Sequence, residues 1–124
     1  MLYEFKKVRQ IEGEGRRRWF RNEDFDLIVW YDPVDTARVS GFQLCYDKQG
    51  TERAVTWRRG NGFQHHRIDS GEQPYAPKQT PILVADGVFA AQPTINRFRS
   101  AASGIDPELT ELVCRTLSEF PGPA

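Results

Sequence analysis

Arginine side chains at alternating positions, interleaved with tryptophan and histidine, are the feature of this chain with the clearest chemical use. Arg16, Arg18 and Arg58 lie in runs that alternate polar and apolar residues, the pattern of a half-buried strand. Arginine prefers planar partners such as carboxylate and phosphate, which it binds through paired hydrogen bonds. If the three guanidinium groups shared one sheet face with Trp30 and His66, they could hold an anion whose flat part stacks on the indole. The sequence predicts such a ligand-binding site, although arginines on a solvated face would give the same pattern.

Cys45 and His66 offer a second kind of chemistry. Both are expected on the same sheet face, and a cysteine beside a histidine can form an activated thiolate. A buried cysteine more often packs as a small apolar side chain. A small enzyme that uses His66, Cys45 or both in acid–base or nucleophilic work is therefore an alternative to the binding hypothesis.

The adjacent histidines His65 and His66 do not indicate a metal site. Neighbouring residues of a strand point to opposite faces, so these two imidazoles cannot ligate one metal ion together. We expect His65 to pack on the core side near Trp57 and His66 to lie on the polar side. No metal and no cofactor is expected.

Five apolar runs between residues 16 and 69 must position these side chains. They are separated by short turn signals, and a weaker run covers residues 2–9. The series predicts an antiparallel meander of five or six strands. Its turns set the expected pairing: Trp19 with Leu27, Arg18 with Ile28, Leu27 with Leu44, Val29 with Phe42, Phe42 with Trp57, Trp57 with His65, and Thr56 with His66.

This pairing sorts the side chains onto two faces, because opposed residues share a face and a slip of one residue moves a whole strand to the other. The predicted core face is Trp19, Phe25, Leu27, Val29, Phe42, Leu44, Tyr46, Val55, Trp57 and Phe63. The predicted polar face is Arg16, Arg18, Phe20, Asp26, Ile28, Trp30, Gln43, Cys45, Thr56, Arg58, Gln64 and His66.

The C-terminal region predicts a long helix over about residues 107–120. Asp106 is a good N-cap residue and Pro107 suits the first helical position. The apolar stripe that would pack on the sheet is Leu109, Leu112, Val113, Leu117 and Phe120. Between sheet and helix we expect an extended proline-rich loop at 70–81 and short elements at 82–103, including a helix after Pro93. The expected fold is α+β, in a single domain over 1–124.

Charge and composition narrow the classes of function. The chain has a formal net charge of zero, which argues against a nucleic-acid binder. The charge is uneven, because residues 1–21 carry seven basic and three acidic side chains and residues 22–36 carry five acidic side chains and no basic one. No apolar run is long enough to span a membrane, the start lacks the apolar core of a signal peptide, and two cysteines favour a cytoplasmic protein.

The function expected first is a small stand-alone binding module that takes an anionic small molecule or a partner protein on its polar face. Besides the enzyme hypothesis, a third possibility is a homo-oligomer whose polar face is the subunit interface, since arginine and tryptophan are common in both kinds of surface.

Overall fold

The computed structural model describes residues 1–5, 10, 13, 15–49, 52–69, 82–85, 89 and 91–120. Within that part of the chain, seven strands precede two α-helices, which are joined by a short 3-10 turn at Ala102–Gly104. The elements are β1 (Tyr3–Phe5), β2 (Arg17–Arg21), β3 (Asp26–Tyr31), β4 (Val39–Tyr46), β5 (Arg53–Arg58), β6 (Gly62–Asp69), β7 (Ile82–Ala85), α1 (Ala91–Ala101) and α2 (Pro107–Ser118).

The strands pair in chain order, each antiparallel to the next, so the sheet is a meander from β1 to β7. The predicted α+β class and the antiparallel meander are confirmed. The sheet has one strand beyond the six expected, because the apolar run at 82–85 pairs with β6. A run of branched apolar residues suits a strand, and it extends the sheet past β6. The proline-rich segment 70–81 lies outside the described residues.

Both helices pack on one face of the sheet, as predicted for the C-terminal helix. Phe98 of α1 meets Phe25 edge-on at 5.8 Å, and Val113 and Leu117 of α2 are fully buried in the same cluster as Leu27 and Leu44 of the sheet. We call this surface the helix-packed face. Burial of this apolar surface is the main force holding helices and sheet together.

The helix boundaries follow from their terminal residues. The Asp106 carboxylate accepts from the Glu108 backbone N–H at 3.0 Å, which caps α2 as predicted, and the helix ends at Ser118. Helix α1 starts at Ala91, before Pro93 rather than after it. Proline is tolerated in a first turn because the N–H groups there have no partner within the helix.

The central pairing of the sheet agrees with the sequence prediction. Leu27 lies opposite Leu44 and Phe42 lies opposite Trp57, as the matching of apolar residues indicated. Between β5 and β6 the predicted register is wrong by two residues, because Trp57 lies opposite Phe63 rather than His65. The hairpin turns through Arg59–Asn61, with Gly60 at a φ of 88°. A shift of two keeps every side chain on its predicted face.

The predicted β2–β3 pairing is wrong by one residue, and this slip has consequences. Trp19 lies opposite Ile28, and Phe20 lies opposite Leu27. The cause is a longer turn: the Asn22 side-chain oxygen accepts from the N–H groups of Asp24 and Phe25 at 2.8 and 2.7 Å. Phe25 is thus in the turn, and β2 presents the opposite side chains to the core.

The corrected register reassigns β2 completely. Phe20 and Arg18 lie on the helix-packed face, and Phe20 is only 1% exposed. The other surface, which we call the mixed face, consists of Tyr3, Phe5, Arg17, Trp19, Arg21, Asp26, Ile28, Trp30, Gly41, Gln43, Cys45, Ala54, Thr56, Arg58, Gly62, Gln64 and His66.

Candidate functional site

Arg18 is committed to a structural ion pair and does not join Arg58. Its Nε and Nη2 donate to the two carboxylate oxygens of Glu4 at 2.9 and 2.8 Å, and its Nη1 donates to the Tyr31 hydroxyl at 3.3 Å. The Glu4 hydrogen bond is the main cause of the raised pKa of Arg18. This two-pronged pair fastens β1 to β2 on the helix-packed face.

Arg16 also departs from the predicted site. It lies just before β2, where its carbonyl accepts from the Tyr31 N–H at 2.9 Å, and its guanidinium is 6.0 Å from the Tyr31 ring. Since Arg16 and Arg18 both neighbour Tyr31, they lie across the sheet from Arg58. The predicted convergence of three arginines on one face is therefore wrong, and the cause is the one-residue slip of β2.

Arg58 and Trp30 do come together on the mixed face. The exposed Arg58 guanidinium carbon lies 4.3 Å from the centroid of the Trp30 ring, although β4 separates the two strands. Gly41 is the β4 residue between them in the register, and a Cβ there would lie 3.3 Å from the Arg58 Cγ. The missing side chain lets the arginine cross to the indole. A glycine inside a strand was the signal for this close approach.

The end of the β3–β4 ladder fixes the tryptophan. The register shifts between Trp30 and Tyr31, and the Ser40 hydroxyl donates to the Trp30 carbonyl at 3.2 Å. Such irregularities bend a strand and re-aim its side chains. The platform under Arg58 is therefore held by the backbone of two strands.

A depression of about 110 Å³ lies beside Arg58. Its lining residues are Thr56, Arg58, Asn61, Gly62 and Gln64. None of them is acidic, and Asn61 and Gln64 bring amide N–H donors. The Arg58 guanidinium makes no ion pair and no hydrogen bond within the described part of the chain. The depression has room for a few water molecules or one small oxyanion.

His66 is on the mixed face, as predicted, but not beside Arg58. It lies opposite Ala54, whereas Arg58 lies opposite Gly62. The four residue steps from Gly62 to His66 span about 13 Å, at about 3.3 Å per step. Its buried Nδ1 has no hydrogen-bond partner among the described residues. Trp30 and Arg58 thus meet as predicted, whereas His66 is apart from them.

Cys45 does not form a nucleophilic pair with His66. Ala54 stands between the two in the register, and the Cys45 thiol is only 6% exposed. Burial raises the pKa of this thiol to about 11, and Gln43 donates its amide to the sulfur at 3.5 Å. At neutral pH the thiol is protonated and shielded, which is the behaviour of a packing residue.

His65 packs on the helix-packed face, as predicted, but its neighbours differ. It lies opposite Val55 and hydrogen-bonds through Nε2 to the Tyr46 hydroxyl. Its ring lies 5.4 Å from that of Phe89 and 6.3 Å from that of Phe120. This arrangement buries the imidazole within an aromatic cluster.

A second group of aromatic and arginine side chains lies at the β1 end of the mixed face, and the sequence prediction missed it. The Phe5 and Trp19 rings are 5.7 Å apart, and the Arg21 guanidinium lies 5.4 Å from the first and 5.9 Å from the second. Tyr3 adds an exposed ring 6.0 Å from Phe5. The group became visible only with the correct register of β2.

Acidic side chains are concentrated away from Arg58. Asp26 accepts contacts from Arg21 and Lys48, each at 3.3 Å, so the charges at that end of the mixed face are paired. Burial and the nearby Asp26 raise the pKa of Glu52. Asp32 serves the β3–β4 loop, where its carboxylate accepts from two backbone N–H groups. The acidic run at 22–36 thus forms mainly turns, and Arg58 is left without a counter-charge.

A larger cleft of about 920 Å³ lies between the tips of two hairpins and helix α1. Several of its charged side chains are already paired: Asp47 accepts from Arg97 at 3.2 Å and lies 3.6 Å from Arg53, and Lys48 binds Asp26 beside the cleft. These contacts fasten α1 to the hairpin tips. The cleft also carries the acidic side chains Glu23 and Asp24, so it suits an anion less well than the surface around Arg58.

Comparisons with protein-family models, curated proteins and solved structures gave no match. The site must therefore be interpreted from its own chemistry. Among the described residues, no group of three or more His, Cys, Asp or Glu side chains could hold a metal ion. No helix in that part of the chain is long and apolar enough to cross a membrane.

Proposed function

We propose that this protein is a binding module that holds an anionic ligand on its mixed face, at Arg58 and Trp30. The observation that carries the proposal is an exposed guanidinium with no ion pair, stacked on an indole beside a depression lined by donors. Several arginines, such as Arg18, are neutralised by an ion pair within the fold. Arg58 has no such pair among the described residues, and it lies beside a depression that an external anion could enter.

The ligand class follows from the lining. A carboxylate or phosphate group in the depression would accept from the Arg58 guanidinium and from the amides of Asn61 and Gln64. A planar group next to that anion would stack on Trp30 or on the guanidinium plane. No acidic side chain lines the depression, so no formal negative charge there repels an anion.

The two alternatives have less support from the geometry. Nucleophilic work by Cys45 needs an accessible thiolate, and burial raises the pKa of this thiol. For acid–base work by His66 alone, no described side chain hydrogen-bonds to the buried Nδ1 and orients the ring. A permanent subunit interface is usually rich in apolar surface, whereas the centre of the mixed face carries Gln43, Thr56 and Gln64. Both cysteines are free and buried, which supports a reducing, cytoplasmic location as part of the proposal.

Nuclear magnetic resonance titration of the backbone amides tests the proposal. Phenyl phosphate, which combines an anion with a flat ring, should shift the amides of Asn61, Gly62 and Gln64 and the Trp30 indole N–H. Arg58→Gln should abolish these shifts. The matched control is Arg67→Gln, which removes the same charge from β6 on the opposite face. Equal losses in both variants, or no shifts in the native protein, would contradict the proposal.

A further inference from the structure

We infer that the ligand of the mixed face is a single-stranded nucleic acid, bound along a path of aromatic and arginine side chains that starts at Arg58. The inference rests on the proposed anion site and names the class of molecule that fills it. Four observations carry it: the path of rings, the guanidinium groups over those rings, the separation of charge, and the Gln64 amide on the face.

The rings occupy neighbouring positions on β1, β2 and β3. Phe5 and Trp19 are 5.7 Å apart, and Tyr3 extends the path at the sheet edge. Trp19 lies opposite Ile28 and Trp30 lies opposite Arg17, so the two tryptophans are diagonal neighbours. Diagonal neighbours on paired strands are about 7–8 Å apart, within reach of large aromatic side chains. Successive bases of an extended strand need stacking surfaces at short intervals of this kind.

Each end of the path combines rings with a guanidinium group. Arg58 covers Trp30 at 4.3 Å, and Arg21 lies over both Phe5 and Trp19. Bases stack on aromatic rings and on guanidinium planes alike, and the same guanidinium can bind a phosphate. Sheet surfaces that pair aromatic with basic side chains suit unpaired bases, because a duplex hides the faces of its bases.

The uneven distribution of charge over the surface allows nucleic-acid binding even though the net charge of the chain is zero. The chain as a whole is neutral, and this led to the expectation of no nucleic acid. Net charge is a sum over the whole protein, however, whereas binding depends on the electrostatic potential of the surface that meets the ligand. On and beside the mixed face four basic side chains, Arg17, Arg21, Lys48 and Arg58, outnumber two acids, Asp26 and Glu52. Arg21 and Lys48 both contact Asp26, whereas Arg58 has no ion pair among the described residues.

The Gln64 amide on the face suits a base edge. The Gln43 amide is occupied at both ends, since its oxygen accepts from the Thr56 hydroxyl at 3.2 Å and its NH2 group donates to the Cys45 sulfur at 3.5 Å. Gln64 lies next in the same row and makes no side-chain hydrogen bond among the described residues. Amides can donate to and accept from any base, so we expect weak sequence preference. An acidic peptide could bind the arginines, but its carboxylates would not stack on the aromatic rings. A single-stranded nucleic acid can contact both, so it fits more of the surface.

Fluorescence titration with a short oligothymidylate provides the test, because tryptophans lie on the path. Binding should quench the emission and weaken as salt is raised. A logarithmic slope of about −0.7 is expected for the Arg58–phosphate contact, because Arg21 is already paired with Asp26. Inorganic polyphosphate carries the charge without bases, and a poly-glutamate peptide carries it on a protein chain. The oligonucleotide should bind at least tenfold more tightly than either.

Two variants separate stacking from charge. Phe5→Ala removes an exposed ring far from Arg58, so it should weaken oligonucleotide binding several-fold and leave the phenyl phosphate shifts unchanged. Arg58→Gln should weaken both ligands, and Arg67→Gln should weaken neither. Circular dichroism spectra of all variants show whether each is folded.

The outcomes distinguish this inference from the proposed function. If polyphosphate or poly-glutamate binds as tightly as the oligonucleotide, or if Phe5→Ala has no effect, the nucleic-acid inference is wrong and the anion site stands. If phenyl phosphate produces shifts and the oligonucleotide does not bind, the same conclusion follows. If no anion binds at all, both are wrong.

Discussion

The Arg58 guanidinium lies 4.3 Å from the centre of the Trp30 ring, and Gly41 is the β4 residue between the two in the register. The contact joins two strands that do not pair with each other, and it places an unpaired positive charge beside a pocket of donors. The proposed function depends on this arrangement.

Gly41→Ala should damage both the sheet and the site. The added Cβ would lie 2.5 Å from the Trp57 carbonyl oxygen and 3.3 Å from the Arg58 Cγ. Because a backbone atom must move, we expect a loss of about 1–3 kcal/mol, as in other overpacked sites. Urea denaturation gives the loss, and phenyl phosphate binding should weaken as well. Unchanged stability and affinity together would mean that the close approach at Gly41 is not required.

Arg18→Gln should destabilise the fold and leave anion binding intact. The substitution breaks the two-pronged pair with Glu4 and leaves that carboxylate partly buried without its partner. Leaving a partly buried polar group without its partner costs about 1–3 kcal/mol, so a loss of about 2 kcal/mol is expected. Adding Glu4→Gln should recover part of it. A stable variant with weakened anion binding would instead support the face assignment first predicted from the sequence.

Leu117→Ala tests the docking of α2. This side chain is fully buried against the sheet, so its truncation should cost about 2–4 kcal/mol. Leu112 is only partly buried, and Leu112→Ala should cost about half as much. The two variants differ only in position on the same helix. Equal losses measured by urea denaturation would contradict the orientation of α2.

Cys45 should react slowly with thiol reagents at neutral pH in the folded protein. Burial raises the pKa of its thiol from 9.0 to about 11, so the reactive thiolate is scarce and shielded. Because the folded form holds this proton more strongly than the unfolded form, stability should fall as the pH rises from about 9 to 11. Mass spectrometry after brief alkylation at pH 7 measures the first effect. Rapid modification of Cys45 would revive the enzyme hypothesis.

The sequence predicted the pairing of β3, β4 and β5 because only one register matches Leu27 with Leu44 and Phe42 with Trp57. It could not choose the register of β2, because Trp19 and Phe20 are adjacent and both are large enough to fill the core. The choice is made by the Asn22 side chain, which closes a turn one residue longer than expected.

The prediction of the candidate site was right or wrong according to whether the register of each strand was right or wrong. Trp30 and Arg58 lie on strands whose faces were correctly assigned, so their meeting was predictable. Arg18 lies on β2, and its partner Glu4 lies on β1, whose sequence pattern is weak. The Trp19 and Arg21 group stayed hidden for the same reason. Alternation identifies strands reliably, but a side-chain hydrogen bond in one turn decides which face a strand presents.

Calorimetric titration of phenyl phosphate into the native protein, Arg58→Gln and Arg67→Gln tests the central claim most directly. Loss of the Arg58 charge should weaken binding at least tenfold, since a charge-assisted contact of about 1.5–3 kcal/mol is removed and about 1.4 kcal/mol corresponds to a factor of ten. Arg67→Gln should match the native protein. Binding that survives Arg58→Gln, or that falls equally in both variants, would contradict an anion site at Arg58 and Trp30.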